Sequence, residues 1–119
     1  MIYSYTISTP ANTPKSAKQE TKIALAKGVI HKIEIDFPPG NLGKLHVAIR
    51  GGLEQIFPSN ESSDLIGDDR LISFPEYYEI LTAPYEMTVE TWNESLNNAH
   101  SISIRIGLLP RQYVLRRTI

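Results

Sequence analysis

Apolar and polar residues alternate one by one along much of this chain. Ile33, Ile35 and Phe37 are separated by charged residues, and residues 44–50 and 101–106 repeat the pattern. Successive side chains of a strand point to opposite faces of a sheet, so this period predicts strands with one dry face and one wet face. The sequence therefore predicts an all-β chain that folds as a single antiparallel β-sandwich.

Turn signals divide the chain into seven or eight short strands, a spacing typical of jelly-roll and immunoglobulin-like sandwiches. The chain lacks the Cys-Trp-Cys pattern of a true immunoglobulin domain. Residues 19–26 also contain helix-favouring residue types, but the extended stretch that follows favours a strand. A Pro-Pro-Gly-Asn turn predicts a hairpin between residues 29–37 and 45–49. Pro75 predicts a sheet edge or a bend, because proline cannot donate to the ladder.

The 119 residues are enough for one domain with its own core, and we do not expect a second domain. The absence of cysteine excludes a disulfide scaffold, a thiolate zinc site and a cysteine nucleophile. We find neither a signal-peptide pattern nor a membrane-length apolar run, so we expect a soluble protein made in the cytoplasm. A net charge of −1 argues against a general nucleic-acid binder.

The C-terminal residues combine apolar and basic side chains. Pro110 is expected to end the last strand, which gives a sandwich domain at residues 1–110 and an arm at residues 111–119. Three arginines neutralise few phosphates, so a packing arm is favoured over a nucleic-acid tail. We interpret the arm as an interface with these contact residues: Tyr113, Val114, Leu115, Arg116, Arg117 and Ile119.

Candidate catalytic and metal-binding residues are sparse. The three histidines, His31, His46 and His100, are isolated in the sequence and lack the convergent spacing of a metal site. No nucleophile elbow, phosphate loop or dinucleotide fingerprint occurs. The sequence therefore predicts no catalytic residue, no cofactor and no enzymatic activity.

One polar stretch carries several carboxylates that could gather around a cation. Its acidic residues are Glu61, Asp64, Asp68 and Asp69, with Gly67 among them. They lack the regular ladder of an EF-hand, so solvated loop carboxylates are favoured over a calcium site. Whether this acidic loop binds a cation is left open by the sequence.

Large aromatic side chains give a second candidate surface. Trp92, Tyr77 and Tyr78 could form a ligand face that stacks a sugar. Trp92 falls on the register opposite to Met87, so it should point outward or toward a partner if Met87 lies in the core. Aromatic residues dominate both cores and interfaces, so packing is favoured over sugar binding. A carbohydrate- or receptor-binding module remains the alternative function.

Four runs of sequence carry a resemblance to known proteins. They read Gly-Val-Ile-His-Lys-Ile-Glu-Ile-Asp-Phe-Pro-Pro-Gly, Lys-Leu-His-Val-Ala-Ile, Thr-Val-Glu-Thr-Trp-Asn-Glu and Ser-Ile-Ser-Ile-Arg-Ile-Gly-Leu-Leu-Pro. This order, over about residues 28–110, resembles small jelly-roll structural proteins of virions, including capsid, decoration and spike-base subunits. The resemblance implies a non-enzymatic virion protein, made in the host cytoplasm, whose partners are further copies of itself and other shell proteins.

Overall fold

The computed structural model describes residues 1–52, 54–60 and 63–110. Within these ranges all strands pair in antiparallel fashion and form two sheets, which confirms the predicted β-sandwich. The strands are β1 (Ile2–Thr9), β2 (Gln19–Ala24), β3 (Gly28–Phe37), β4 (Leu45–Gly51), β5 (Glu54–Phe57), β6 (Leu65–Ile66), β7 (Arg70–Ile80), β8 (Glu86–Asn93) and β9 (His100–Leu109).

The strand pairs are nested along the chain. β1 pairs with β9, β2 with β8, β3 with β7, and β4 with β5 and β6. Such nesting describes one long antiparallel ribbon, and rolling this ribbon up places alternate levels in opposite sheets. The resulting orders are β1-β9-β3-β7 and β2-β8-β4-β5, with β6 added beside β4. This strand order is that of a jelly roll, one of the two topologies that the spacing of strands and turns indicated.

The predicted hairpin between residues 29–37 and 45–49 is wrong. β3 lies in the four-stranded sheet and β4 in the five-stranded sheet, so the intervening turn crosses from one sheet to the other. Phe37 at the end of β3 pairs with Arg70, whereas Leu45 at the start of β4 pairs with Asn93. Alternation identifies the dry face of a strand, but it does not identify the neighbour that supplies its hydrogen bonds.

The space between the sheets is filled mainly by aliphatic side chains, with aromatic side chains packed at its rim. Both sheets contribute residues from alternate positions, as the period-two pattern predicted. The fully buried members include Ile33, Ile35, Phe37, Leu45, Val47, Ile49, Val89, Ile102, Ile104 and Ile106. This packing leaves the outer faces, the edges and the open rim between the sheets as the surfaces on which function must be sought.

β7 runs without interruption through Pro75 at one edge of the four-stranded sheet. Pro75 pairs with Lys32, next to a register shift between Ile30 and Lys32 in β3. An edge position tolerates a proline because its missing amide hydrogen can face away from the neighbouring strand. The edge placement is therefore confirmed, and the residues on both sides of Pro75 belong to one strand.

β9 ends at Leu109, the residue before Pro110, where the sequence predicted the last strand to stop. The predicted arm at residues 111–119, with its contact residues Tyr113, Val114, Leu115, Arg116, Arg117 and Ile119, lies outside the described residues. Lys15–Ala17 forms a single 3-10 turn between β1 and β2. In the described ranges no helix has the length and apolar character needed to cross a membrane.

Candidate functional site

Trp92 lies on the outer face of the five-stranded sheet. Met87 and Val89 occupy the opposite register of β8 and point into the core, so the outward register of Trp92 follows the sequence pattern. Trp92 is nevertheless only 4% exposed. The connection between β1 and β2 crosses over the ring and places the amines of Lys15 and Lys18 at 5.3 and 5.9 Å from its centroid. The most promising ligand-stacking residue is thus covered by its own chain.

Tyr77 and Tyr78 do not share a face with Trp92. They belong to β7 in the four-stranded sheet, and adjacent residues of a strand point to opposite sides. Tyr77 is 54% exposed, and its hydroxyl donates a 2.9 Å hydrogen bond to Glu79. Tyr78 points inward and packs against the core. The structure therefore does not bring these three side chains together as the ligand face that the sequence suggested.

The hydroxyl of Tyr78 lies against Gly51 of β4, in the opposite sheet. Burial raises the pKa of Tyr78 above its ordinary value of 10.0, and the carboxylate of Glu54 raises this pKa further because it repels a phenolate. The neutral hydroxyl is therefore the form that fits between the sheets.

A polar cluster surrounds Trp92 on the outer face. The ring of His46 stacks on Trp92 with centroids 5.2 Å apart and planes 5° from parallel. His46 Nδ1 lies 2.5 Å from the carboxylate of Asp64, and Nε2 lies 3.1 Å from Glu94 Oε1 without hydrogen-bond alignment. Glu90, 3% exposed, lies 3.3 Å from the amine of Lys18. These contacts hold the segments that cross the sheet, and the sequence did not indicate them because each partner comes from a distant part of the chain.

The cluster borders a cavity of about 170 Å³. The cavity is lined by Lys15, Lys18, Ala48, Arg50, Gln55, Ser63, Glu90 and Trp92. Gln55 is 7% exposed, and its amide donates to the carbonyl oxygens of Pro58, Asn60 and Ser63. Side chains on the floor of this cavity are thus engaged in holding loops over the sheet, which is a structural task.

The three histidines lie on three different strands. His31 occupies the register shift of β3, where its ring covers Gly107 of β9. His46 lies in β4 and His100 begins β9. In residues 1–52, 54–60 and 63–110, no three His, Asp or Glu side chains are grouped so that they could hold a metal ion.

The acidic residues of this loop that the structure describes contact other parts of the protein, through side chains or through the backbone. Asp64 contacts His46, and Asp68 accepts a 2.7 Å hydrogen bond from the backbone of Gly40. Asp69 adopts a left-handed backbone with φ of 52°, and its amide donates to Pro38. Glu61 lies outside the described residues. These contacts tie the loop to the connection between β3 and β4.

The edges of the two sheets differ in how they are protected against pairing. Proteins block sheet edges with charged residues, prolines, bulges or short strands. β7 carries Pro75 and two glutamates, β2 carries Glu20 and Lys22, and β5 has only four residues, including Glu54.

β1 has eight residues, Ile-Tyr-Ser-Tyr-Thr-Ile-Ser-Thr, with no charge and no proline. Its register with β9 is unbroken from Ile2 to Thr9. Among the described edges, β1 is the one without these devices.

The backbone groups that β1 presents outward follow from its pairing with β9. Met1 and Leu108 exchange both backbone hydrogen bonds, at 2.7 and 2.8 Å. Because paired groups alternate along an antiparallel strand, the N–H and C=O groups of Ile2, Ser4, Thr6 and Ser8 point away from β9. The side chain of Gln19 donates to the carbonyl of Ser8 at 3.0 Å. Ile2, Ser4 and Thr6 thus form a row of outward backbone donors and acceptors on exposed residues.

Comparison with known proteins gives no family for this chain. No protein-family model, no curated protein and no solved structure matches it. The jelly-roll fold and the β1 edge are therefore the features from which a function can be inferred.

Proposed function

We propose that this protein is a non-enzymatic structural subunit of a virion or of a comparable protein shell. It associates with further copies of itself and with other shell proteins through its sheet edges and through the arm predicted at residues 111–119. It is made in the host cytoplasm and acts in the assembled particle. The observation that carries this proposal is the unprotected β1 edge on a jelly-roll sandwich.

The fold by itself supports several functions, since lectin domains and cupins share the jelly roll with capsid proteins. Two features favour a shell subunit. The interior is filled by packed aliphatic side chains, whereas a cupin-type site needs ligands that converge there. The large aromatic residue suited to sugar stacking, Trp92, is buried under the β1–β2 connection. An assembly subunit needs shape and repeated contacts, and a jelly roll with an open edge supplies both.

Size-exclusion chromatography with light scattering tests this proposal on the full chain. We expect the measured mass to rise above that of one chain as the concentration is raised from micromolar to millimolar, because each protomer offers repeated contacts. Electron microscopy of the concentrated sample should then show defined oligomers or shells. The mass of a single chain at every concentration would contradict the proposed self-association.

A further inference from the structure

We infer that β1 is the contact strand between two copies of this chain, and that it pairs with its own copy across a two-fold axis centred on Ser4. This inference rests on the proposed function, for which it names the partner and the register. The pairing would join two four-stranded sheets edge to edge into one eight-stranded sheet.

A second copy is the occupant that fits the chemistry of this edge. An antiparallel strand is complementary to itself, because each outward N–H meets an outward C=O of the copy and the reverse. β1 carries no charged side chain, so two copies meet without like-charge repulsion. The amino group of Met1 is held by the carbonyl of Leu108, which keeps the N-terminal charge directed at the protein's own sheet.

The position of Gln19 selects the register. Its side-chain amide donates a hydrogen bond to the carbonyl of Ser8. The backbone groups of Ile2, Ser4 and Thr6 then remain to pair with a second copy. The symmetric register that uses all three sets Ser4 opposite its copy, and Ile2 opposite Thr6 in both directions. Each of these three pairs exchanges two backbone hydrogen bonds.

The same register brings aromatic side chains together. Tyr3 and Tyr5 are half-buried at the rim of the core on the inner face of β1. With Ser4 on the axis, Tyr3 of one copy lies directly opposite Tyr5 of the other, on both sides of the axis. Facing aromatic side chains stabilise strand pairs. One strand pair buries less surface than a stable dimer interface requires, so the contact is weak alone and gains strength by repetition in an assembly.

Disulfide trapping tests the register directly, because the chain contains no cysteine. A hydrogen-bonded antiparallel pair has Cα atoms about 5.5 Å apart, within the range that a disulfide bridges. We expect Ser4→Cys to form a covalent dimer under mild oxidation. Two exposed control positions should crosslink several-fold more slowly. Thr6→Cys lies on the same strand but would be more than about 13 Å from its copy, and Ser73→Cys lies on β7.

A second pair of variants separates this inference from the proposed function. Ser4→Lys places two positive charges opposite each other on the axis and should weaken dimerisation by about tenfold, whereas Ser73→Lys should leave it unchanged. Circular dichroism should be the same for both variants.

Each outcome decides the inference. Preferential crosslinking of Ser4→Cys together with weakened dimerisation of Ser4→Lys supports it. Equal crosslinking rates at all three positions, or full association of Ser4→Lys, would overturn the β1 pairing and leave self-association intact. If the wild-type chain stays monomeric and Ser4→Cys does not crosslink, the β1 pairing and the proposed self-association are both overturned. The same conclusion would hold if residues 111–119 covered the edge.

Discussion

The hydroxyl of Thr9 donates a 2.7 Å hydrogen bond to the hydroxyl of Thr91, and both side chains are fully buried. Thr9 ends β1 in the four-stranded sheet, and Thr91 lies in β8 of the five-stranded sheet. The bond therefore joins the two layers of the sandwich beneath the end of the proposed contact strand. A buried hydroxyl that loses its partner is costly, whereas removing both hydroxyls together is less so.

Replacing one threonine alone should be costly, because it leaves the hydroxyl of the other without a partner. The two single replacements together should therefore cost more than the double replacement. We expect Thr91→Val to lower the free energy of unfolding by about 2 kcal/mol, because the hydroxyl of Thr9 is left without its partner. The double variant Thr9→Val/Thr91→Val should cost less than the sum of the single variants. Urea denaturation measures the cycle, with the half-exposed Thr88→Val as a control. Strict additivity of the two single changes would show that the bond contributes nothing.

Asn93 organises the connections at the same end of the sandwich. Its fully buried amide donates to the carbonyl oxygens of Pro10 and Asn98, at 3.3 and 2.9 Å, and accepts a 3.0 Å bond from the backbone of Ser95. We expect Asn93→Ala to lower the free energy of unfolding by about 3 kcal/mol, because several backbone groups lose their partner together. The exposed Asn97→Ala should change it little. Equal stability of the two variants would refute this role.

Trp92 should contribute to stability as a buried side chain. We expect Trp92→Ala to lower the free energy of unfolding by about 3–5 kcal/mol, since it empties the space under Lys15 and Lys18. Circular dichroism must follow the transition, because Trp92 is the sole tryptophan. Tyr77→Ala, on the exposed face of β7, should have little effect. A stable Trp92→Ala variant that loses binding on a glycan array would instead support the carbohydrate-binding alternative.

The period-two pattern predicted the strands and their inward faces, and it failed where a property depends on two distant segments. The sequence correctly predicted β3 and β4 as strands. It wrongly predicted that they pair with each other, because alternation carries no information about neighbouring strands. β6 was missed since two residues cannot show a period. The sequence predicted that Trp92 points outward. It did not predict that Trp92 is buried, because the segment that covers it is the distant connection between β1 and β2.

The β1 edge could likewise not be identified from the sequence alone. The uncharged sequence of β1 is visible without a structure, but a strand becomes an edge only through the order of strands in its sheet. The engagement of Ser8 by Gln19, which selects the register, also depends on how the two sheets stack. The sequence could therefore suggest assembly through edges but could not name the strand.

The raised pKa of Tyr78 makes stability depend on pH in the alkaline range. In the unfolded chain a tyrosine loses its proton near pH 10, whereas burial and Glu54 keep Tyr78 protonated to higher pH in the folded state. The folded state then binds more protons, so the free energy of unfolding falls as the pH rises above about 10. Below this pH the contribution of Tyr78 is fully present.

Tyr78→Phe should remove this part of the pH dependence, and Tyr85→Phe serves as a half-buried control. Urea denaturation between neutral pH and alkaline pH gives the slopes of the free energy of unfolding against pH. The slope of Tyr78→Phe should be shallower than those of the wild type and Tyr85→Phe. Identical slopes for all three proteins would show that Tyr78 titrates alike in the folded and unfolded states.

Hydrogen exchange of individual amides, measured as a function of protein concentration, tests the assembly account most directly. Ile2, Ser4 and Thr6 present their amides away from β9, so these amides should exchange rapidly in dilute solution. We predict that they become protected as the protein associates, while the amides of β7 that face away from β3 keep exchanging. Rapid exchange at Ile2, Ser4 and Thr6 at concentrations where light scattering reports oligomers would contradict assembly through the β1 edge.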